Sequence, residues 1–124
     1  MEISFTDREL DVMAVLWERG ACTVAEVRDA MADDLAYTTV LTVLRVLQEK
    51  GFVGHTEEGR AHRYHALVER EEAGRNALRR LRRKIFGSSP ELLLTQLVTD
   101  QDLSRDDLKR MRKLLDERLR EEDE

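Results

Sequence analysis

The chain has 124 residues, of which 41% are hydrophobic and 38% are charged, which is sufficient for one domain core of ordinary size. No apolar run approaches the roughly 18 residues of a membrane span, and the N-terminus lacks the basic and apolar regions of a secretory signal. The single cysteine, Cys22, excludes an internal disulfide and a Cys-x-x-Cys pair. These features exclude an integral membrane protein and predict a cytoplasmic one.

The net charge of −5 is unevenly distributed along the chain. Residues 1–67 carry 12 acidic and 7 basic side chains, whereas residues 68–124 carry 14 of each. Since nucleic-acid-binding proteins usually have a basic surplus, DNA binding by this chain would depend on local positive charge. One local concentration, from Arg75 to Lys84, has six basic residues and no acid. It would either flank DNA or form a solvated helix face.

Helix signals in the first half predict three helices. Two capping boxes, at residues 6–9 (TDRE) and 23–26 (TVAE), open the first two helices, because their hydroxyl and carboxylate oxygens accept from otherwise unpaired N–H groups. A third helix is predicted over about residues 37–50, with Gly51 at its end.

Residues 52–65 are predicted to form a β-hairpin around a Glu-Gly turn. Pairing outward from that turn places His55 opposite His62 and Val53 opposite Tyr64. His62 and His65, three residues apart on a strand, have side chains on opposite faces. We therefore expect no metal site here, and we expect Cys22 to be a small buried side chain.

The remaining residues predict three more helices, over residues 69–86, over residues 91–98 after Ser89-Pro90, and after the cap Ser104. Their apolar surface exceeds what one small subunit covers, so an isologous homodimer is predicted. The alternative is that this surface folds back on the N-terminal half of a monomer. The predicted dimerisation residues are Leu78, Leu81, Ile85, Leu92, Leu93, Leu94, Leu97, Leu108, Met111 and Leu115.

Three helices followed by a hairpin is the order of a winged helix-turn-helix. The predicted fold is therefore mainly α, with a winged helix-turn-helix over residues 1–67 and a three-helix dimerisation region over residues 68–124. The third helix has two different faces at 100° per residue. Its apolar face carries Val40, Val43, Leu44 and Leu47, and its other face carries Thr38, Leu41, Thr42 and Arg45.

The second face suits the major groove of DNA. Arginine pairs with guanine, threonine hydroxyls reach phosphates or base edges, and an exposed Leu41 would contact thymine methyl groups. Arg60 and Arg63 of the hairpin would reach phosphates or the minor groove. The predicted DNA-contacting residues are Tyr37, Thr38, Thr39, Leu41, Thr42, Arg45, Arg60 and Arg63.

Four stretches resemble the penicillinase-repressor family (the BlaI/MecI/CopY type). They are residues 10–17 (LDVMAVLW), 36–44 (AYTTVLTVL), 50–53 (KGFV) and 59–64 (GRAHRY). The resemblance implies a homodimeric repressor of transcription that binds a dyad-symmetric double-stranded DNA operator. It also implies a partner, because in the best-known members a membrane-bound zinc-metalloprotease sensor leads to cleavage within the dimerisation region.

The chain departs from this family in two places. The family's scissile Asn-Phe bond corresponds by position to Gln96-Leu97, which are therefore the candidate cleavage residues. The Cys-x-Cys pair of the copper-responsive branch is missing, since no cysteine follows Cys22. Copper sensing by that route is excluded.

A second hypothesis is a winged-helix module that binds a protein partner instead of DNA, as the acidic N-terminal half would allow. An enzyme is not expected, because the sequence has no phosphate loop, HExxH motif or nucleophile elbow. No cofactor and no small-molecule substrate are predicted.

Overall fold

The computed structural model describes residues 3–124. The elements in this range, in order, are α1 (Asp7–Arg19), β1 (Cys22–Thr23), α2 (Val24–Ala30), α3 (Tyr37–Glu49), β2 (Val53–Glu58), β3 (Ala61–Ala66), α4 (Arg70–Lys84), α5 (Pro90–Val98) and α6 (Arg105–Asp123). The predicted mainly α chain with a β-hairpin is confirmed.

Both capping boxes of the first half are present. The Thr6 hydroxyl accepts from the backbone N–H of Glu9 at 3.2 Å, and the Glu9 carboxylate accepts from the backbone N–H of Thr6 at 2.8 Å. Thr23 and Glu26 repeat this reciprocal pair at the start of α2. Gly20, at a φ of +83°, ends α1, in the region of backbone space that glycine adopts at little cost.

The core lies between α1, α2, α3 and the sheet. Val40, Leu44 and Leu47 of α3 are fully buried, and they recur at the spacing of one helix face. They belong to one cluster with α1 and α2 residues such as Met13 and Val27. The buried side of α3 is thus the predicted one, and it fixes which side of the helix is exposed.

The sheet has three antiparallel strands in the order β1-β3-β2 among the described residues. β1, which pairs Cys22 with Tyr64 of β3, is not among the elements predicted from the sequence. Cys22 itself is buried, as predicted.

The predicted hairpin register is wrong by two residues. His55 lies opposite Tyr64, and Glu57 lies opposite His62. The loop consists of Gly59 and Arg60 rather than of a Glu-Gly pair, because the first position of a two-residue type II′ turn needs a positive φ, and Gly59 has a φ of +63°. A shift of two residues preserves the strand faces, so His55 and His62 remain on the same face.

The chain forms two compact units that divide between Leu78 and Arg79, within α4. The first turns of α4 belong to the N-terminal unit, where Val68 and Ala73 are buried. The Trp17 indole N–H donates to the carbonyl oxygen of Val68 at 2.9 Å, which fixes the segment leading into α4. The functional division after residue 67 stays a prediction.

The C-terminal unit contains α5 and α6. Ser89 caps α5, with Pro90 in its first turn, and Ser104 caps α6 through a capping box with Asp107, as predicted. Within the described part of the chain, neither α5 nor α6 contributes a buried residue. Across residues 3–124, no helix combines the length and the apolar character needed to cross a bilayer.

Candidate nucleic-acid interface

The solvent side of α3 carries the polar residues that the sequence predicts to contact DNA. Tyr37, Thr38, Thr39, Thr42 and Arg45 are all exposed. Because the opposite stripe is anchored in the core, these side chains sit on a rigid element of the N-terminal unit. Such an exposed threonine and arginine face is what a recognition helix presents to a major groove.

The expectation that Leu41 is exposed is wrong. Leu41 is half-buried and packs against the core cluster. It precedes the buried Leu44 by three residues and follows the buried Val40 directly, so it lies at the edge of the apolar stripe rather than on the opposite face. The contact of Leu41 with DNA stays a prediction.

Thr42 is oriented by its own helix. Its hydroxyl donates to the carbonyl oxygen of Thr38, one turn earlier, at 2.9 Å. This bond uses the only hydrogen of the hydroxyl and leaves lone pairs that accept. Thr42 is therefore arranged to accept from a base amino group or to present its methyl group.

The two arginines of the hairpin are in different situations. Arg60 lies in the exposed loop. The guanidinium of Arg63 instead forms ion pairs with Glu58 and Glu26, and it donates to the carbonyl oxygen of Ala21 at 2.9 Å. Arg63 therefore connects β3 to β2 and to the start of α2, a network that no pattern in the sequence indicated. The phosphate contacts of both arginines stay predictions.

An open concavity of about 410 Å³ lies between the end of α3 and the hairpin. We call it the histidine shelf, and its lining residues are Arg45, Gln48, Glu49, His55, His62 and Tyr64. The rings of His55 and His62 are stacked, with centroids 4.2 Å apart. Nδ1 of His55 lies 2.8 Å from Oε1 of Gln48. Gln48 and the two histidines are not among the residues predicted from the sequence to contact DNA.

Two buried groups anchor the hairpin to the core. Tyr64 is almost fully buried beneath the histidine shelf, and this burial raises the pKa of its phenol. Burial likewise raises the pKa of the Cys22 thiol opposite it. Since the thiolate is the reactive form of cysteine, Cys22 is suited to packing rather than to redox chemistry.

A half-buried ion pair connects α1 to the end of α3. Lys50 donates to both carboxylate oxygens of Glu9, at 3.0 and 2.8 Å, and the Glu9 side chain is only 5% exposed. Burial raises the pKa of Glu9, but the hydrogen bonds from Lys50 and Thr6 outweigh it and hold the pKa below its ordinary value. The pair fixes the C-terminal end of α3 against α1.

Comparison with known proteins identifies the family. The model of the penicillinase repressor family matches residues 5–117. The chain belongs to the penicillinase repressor family.

Two relatives from this family match the chain, one over most of its length and the other over about half. MecI of Staphylococcus aureus, a methicillin resistance regulatory protein, is 22% identical over 112 residues, which span 89% of this chain and 91% of that protein. The transcriptional regulator BlaI of Mycobacterium tuberculosis is 45% identical over 69 residues, which span 53% of this chain and 50% of that protein.

Two solved structures share the fold. Monomeric BlaI of Bacillus licheniformis, in complex with the blaP half-operator, has a TM-score of 0.50 and 27% identity, and the match covers 58% of this chain and 90% of that one. A MarR family protein from Bacillus stearothermophilus has a TM-score of 0.56 at 17% identity, covering 98% of this chain and 78% of that one. The second similarity concerns the fold alone.

Proposed function

We propose that this protein is a sequence-specific DNA-binding repressor of transcription. The observation that carries the proposal is the exposed threonine and arginine face of α3, held in place by a buried stripe, in a member of the penicillinase repressor family. The solved BlaI relative is bound to a half-operator, which supports DNA as the ligand of the corresponding part of this chain.

In this proposal α3 lies in the major groove. Arg45 donates to the O6 and N7 atoms of a guanine, and Thr42 accepts from a neighbouring base. The first turn of α3 contacts the DNA backbone and the edge of the groove through Tyr37, Thr38 and Thr39. Such backbone contacts set the register of the protein without reading sequence.

The hairpin acts as the wing. Arg60 contacts phosphates from the loop, because its side chain is exposed. Arg63 connects the wing to Ala21, just before β1, and to Glu26 of α2, and it pairs with Glu58 within the wing. We assign Arg63 mainly a positioning role, in addition to any phosphate contact it makes.

The repressor acts as a homodimer on a dyad-symmetric operator. Eight of the ten predicted dimerisation residues are exposed, and only Leu93 and Met111 are half-buried. Covering this surface with the same surface of a second copy is the simplest way to remove it from water. The two copies of α3 would then contact half-sites about 34 Å apart, or a multiple of that.

Release from DNA follows cleavage by a membrane metalloprotease sensor in this proposal. Gln96 and Leu97 lie in α5 and are exposed, and Leu97 also belongs to the predicted dimer surface. Cleavage there would remove α6 from the remainder of the chain and weaken the dimer. Because the bond is helical, a protease must first unwind the end of α5.

Replacing Arg45 by alanine tests base reading. We expect Arg45→Ala to weaken operator binding by about 1–3 kcal/mol, with a smaller effect on random DNA, because a bidentate contact to guanine is lost. Arg60→Ala is the matched comparison, and it should weaken both duplexes equally and reduce the salt dependence, as loss of a phosphate contact does. Fluorescence anisotropy over a series of salt concentrations measures both.

An equal loss on both duplexes for Arg45→Ala would contradict its base-reading role. A large loss of sequence discrimination for Arg60→Ala would contradict the assignment of Arg60 to a phosphate contact.

A further inference from the structure

The histidine shelf lies directly beside the residue that we assign to base reading. Arg45 lines it from α3, together with Gln48 and Glu49, while His55 and His62 line it from the two strands of the wing. All of these residues lie within the N-terminal unit. The shelf therefore joins the helix and the wing that together form the proposed interface.

The charge of the shelf depends on its two histidines. The charged groups around them are Arg45 and Glu49 on α3 and Glu57 on β2, whose Oε1 lies 3.9 Å from Nε2 of His62. With neutral imidazoles the acids outnumber the single arginine. Two protonated imidazoles reverse the sign and make the shelf positive. Tyr64, the remaining titratable group facing them, is a phenol and is neutral near pH 7.

The close stacking of the two rings opposes their double protonation unless an anion binds to both. Two imidazolium rings with centroids 4.2 Å apart repel each other, and an anion that accepts from both relieves that repulsion. The hydrogen bond to the Gln48 carbonyl oxygen assigns a hydrogen to Nδ1 of His55 and leaves Nε2 to take the second proton. Gln48 also holds the ring in place next to α3.

A DNA groove supplies such an anion at this position. The major groove is bordered on each side by phosphodiesters, so a helix whose Arg45 reaches base edges has a sugar-phosphate backbone beside it. We propose that the histidine shelf binds a phosphodiester of that backbone with His55 and His62 in their protonated form, so that DNA binding takes up protons. This inference rests on the proposed function and adds a binding site to it.

The test compares DNA affinity at pH 6 and pH 8. We expect the unmodified protein to bind at least about tenfold more tightly at pH 6 than at pH 8, because proton uptake on binding favours the complex as the pH falls, by up to about tenfold per proton and per pH unit. The gain should be the same for operator and random duplexes, since phosphate contacts carry no sequence information. The variant with both His55→Gln and His62→Gln should lose this pH dependence.

His65→Gln is the matched control. His65 lies opposite Gly54 on β3 and is on the other face of the strand from His62 and Tyr64. It should retain the full pH dependence. If the double variant unfolds, the single variant His62→Gln is the test, because His62 is exposed and its replacement should not disturb the fold. This variant should reduce the pH dependence of DNA binding. Calorimetry in buffers of different ionisation enthalpy should then record fewer protons taken up on binding.

Three results would contradict the proposal that the histidine shelf binds a phosphodiester. The first is an affinity of the unmodified protein that does not change between pH 8 and pH 6. The second is an unaltered pH dependence in the His55 and His62 variants. The third is a loss of the pH dependence in His65→Gln. Specific operator binding at pH 8 without any of the expected pH dependence would contradict the phosphodiester site and leave the repressor proposal intact. Absence of operator binding at both pH values would instead contradict the repressor proposal itself.

Discussion

Replacing Leu115 by arginine should convert the protein to a monomer and weaken operator binding by about a hundredfold, because two linked half-site contacts are reduced to one. Leu115 lies in α6 and is 50% exposed, on a stripe with Leu108, Met111 and Leu119. An arginine there would place an unpaired charge in the proposed two-fold interface. Analytical ultracentrifugation measures the oligomeric state, and anisotropy measures the affinity.

Leu10→Arg is the control for this substitution. Leu10 is also a partly exposed leucine on a helix, at 42%, but it lies in α1, outside the predicted dimerisation region. The control should stay dimeric and bind the operator as the unmodified protein does. A Leu115→Arg protein that remains dimeric would contradict the assignment of this stripe to the interface, and an unmodified protein that is monomeric would contradict the homodimer.

Replacing Lys50 by alanine should destabilise the N-terminal unit by about 2–3 kcal/mol, because it leaves the buried Glu9 carboxylate without its partner. The value lies below the roughly 3–5 kcal/mol of a fully buried pair, since the Lys50 side chain is itself 40% exposed. Urea unfolding at a fixed protomer concentration measures the effect. Lys113→Ala, on the exposed part of α6, should change the unfolding free energy by less than about 0.5 kcal/mol.

The pH dependence of this pair has a defined sign. Folding lowers the pKa of Glu9 below its ordinary value of 4.5. The stabilisation is therefore complete above that value and is lost as the pH falls through the lowered pKa of the folded state. The difference in unfolding free energy between the unmodified protein and Lys50→Ala should narrow as the pH falls below about 4.5. A constant difference down to pH 2.5 would show that the carboxylate is not its source.

Local signals predicted the helices well because their causes are local. The boxes at Thr6 and Thr23 need only residues three apart to satisfy each other, and Ser89 followed by Pro90 marks the start of α5 in the same way. The buried stripe of α3 follows from its helical periodicity. These features were predicted from a single sequence for that reason.

The errors concern features that depend on distant residues or on fine geometry. A strand of two residues, β1, is too short to show periodicity. The hairpin register depended on which two residues form the turn, and the positive φ of Gly59 decided it. Leu41 lies at the boundary between two helix faces, where the periodicity alone does not separate half-buried from exposed.

The contacts in and beside the candidate site that the sequence did not predict join residues far apart in the chain. Lys50 and Glu9 are 41 residues apart, and Arg63 reaches back to Ala21 across 42 residues. Gln48 meets His55 only because α3 and the wing fold against each other. No spacing rule in one sequence identifies such partners, whereas the exposed face of α3 needed only the helical repeat.

The most direct test of the repressor proposal is fluorescence anisotropy with the DNA upstream of the protein's own coding sequence, beside a scrambled duplex, over several salt concentrations. We expect tight binding to the upstream duplex at two protomers per site, weaker binding to the scrambled duplex, and affinity that falls as salt rises because counterions are released from the phosphates. Weak binding that is equal for both duplexes would contradict sequence-specific repression from this site.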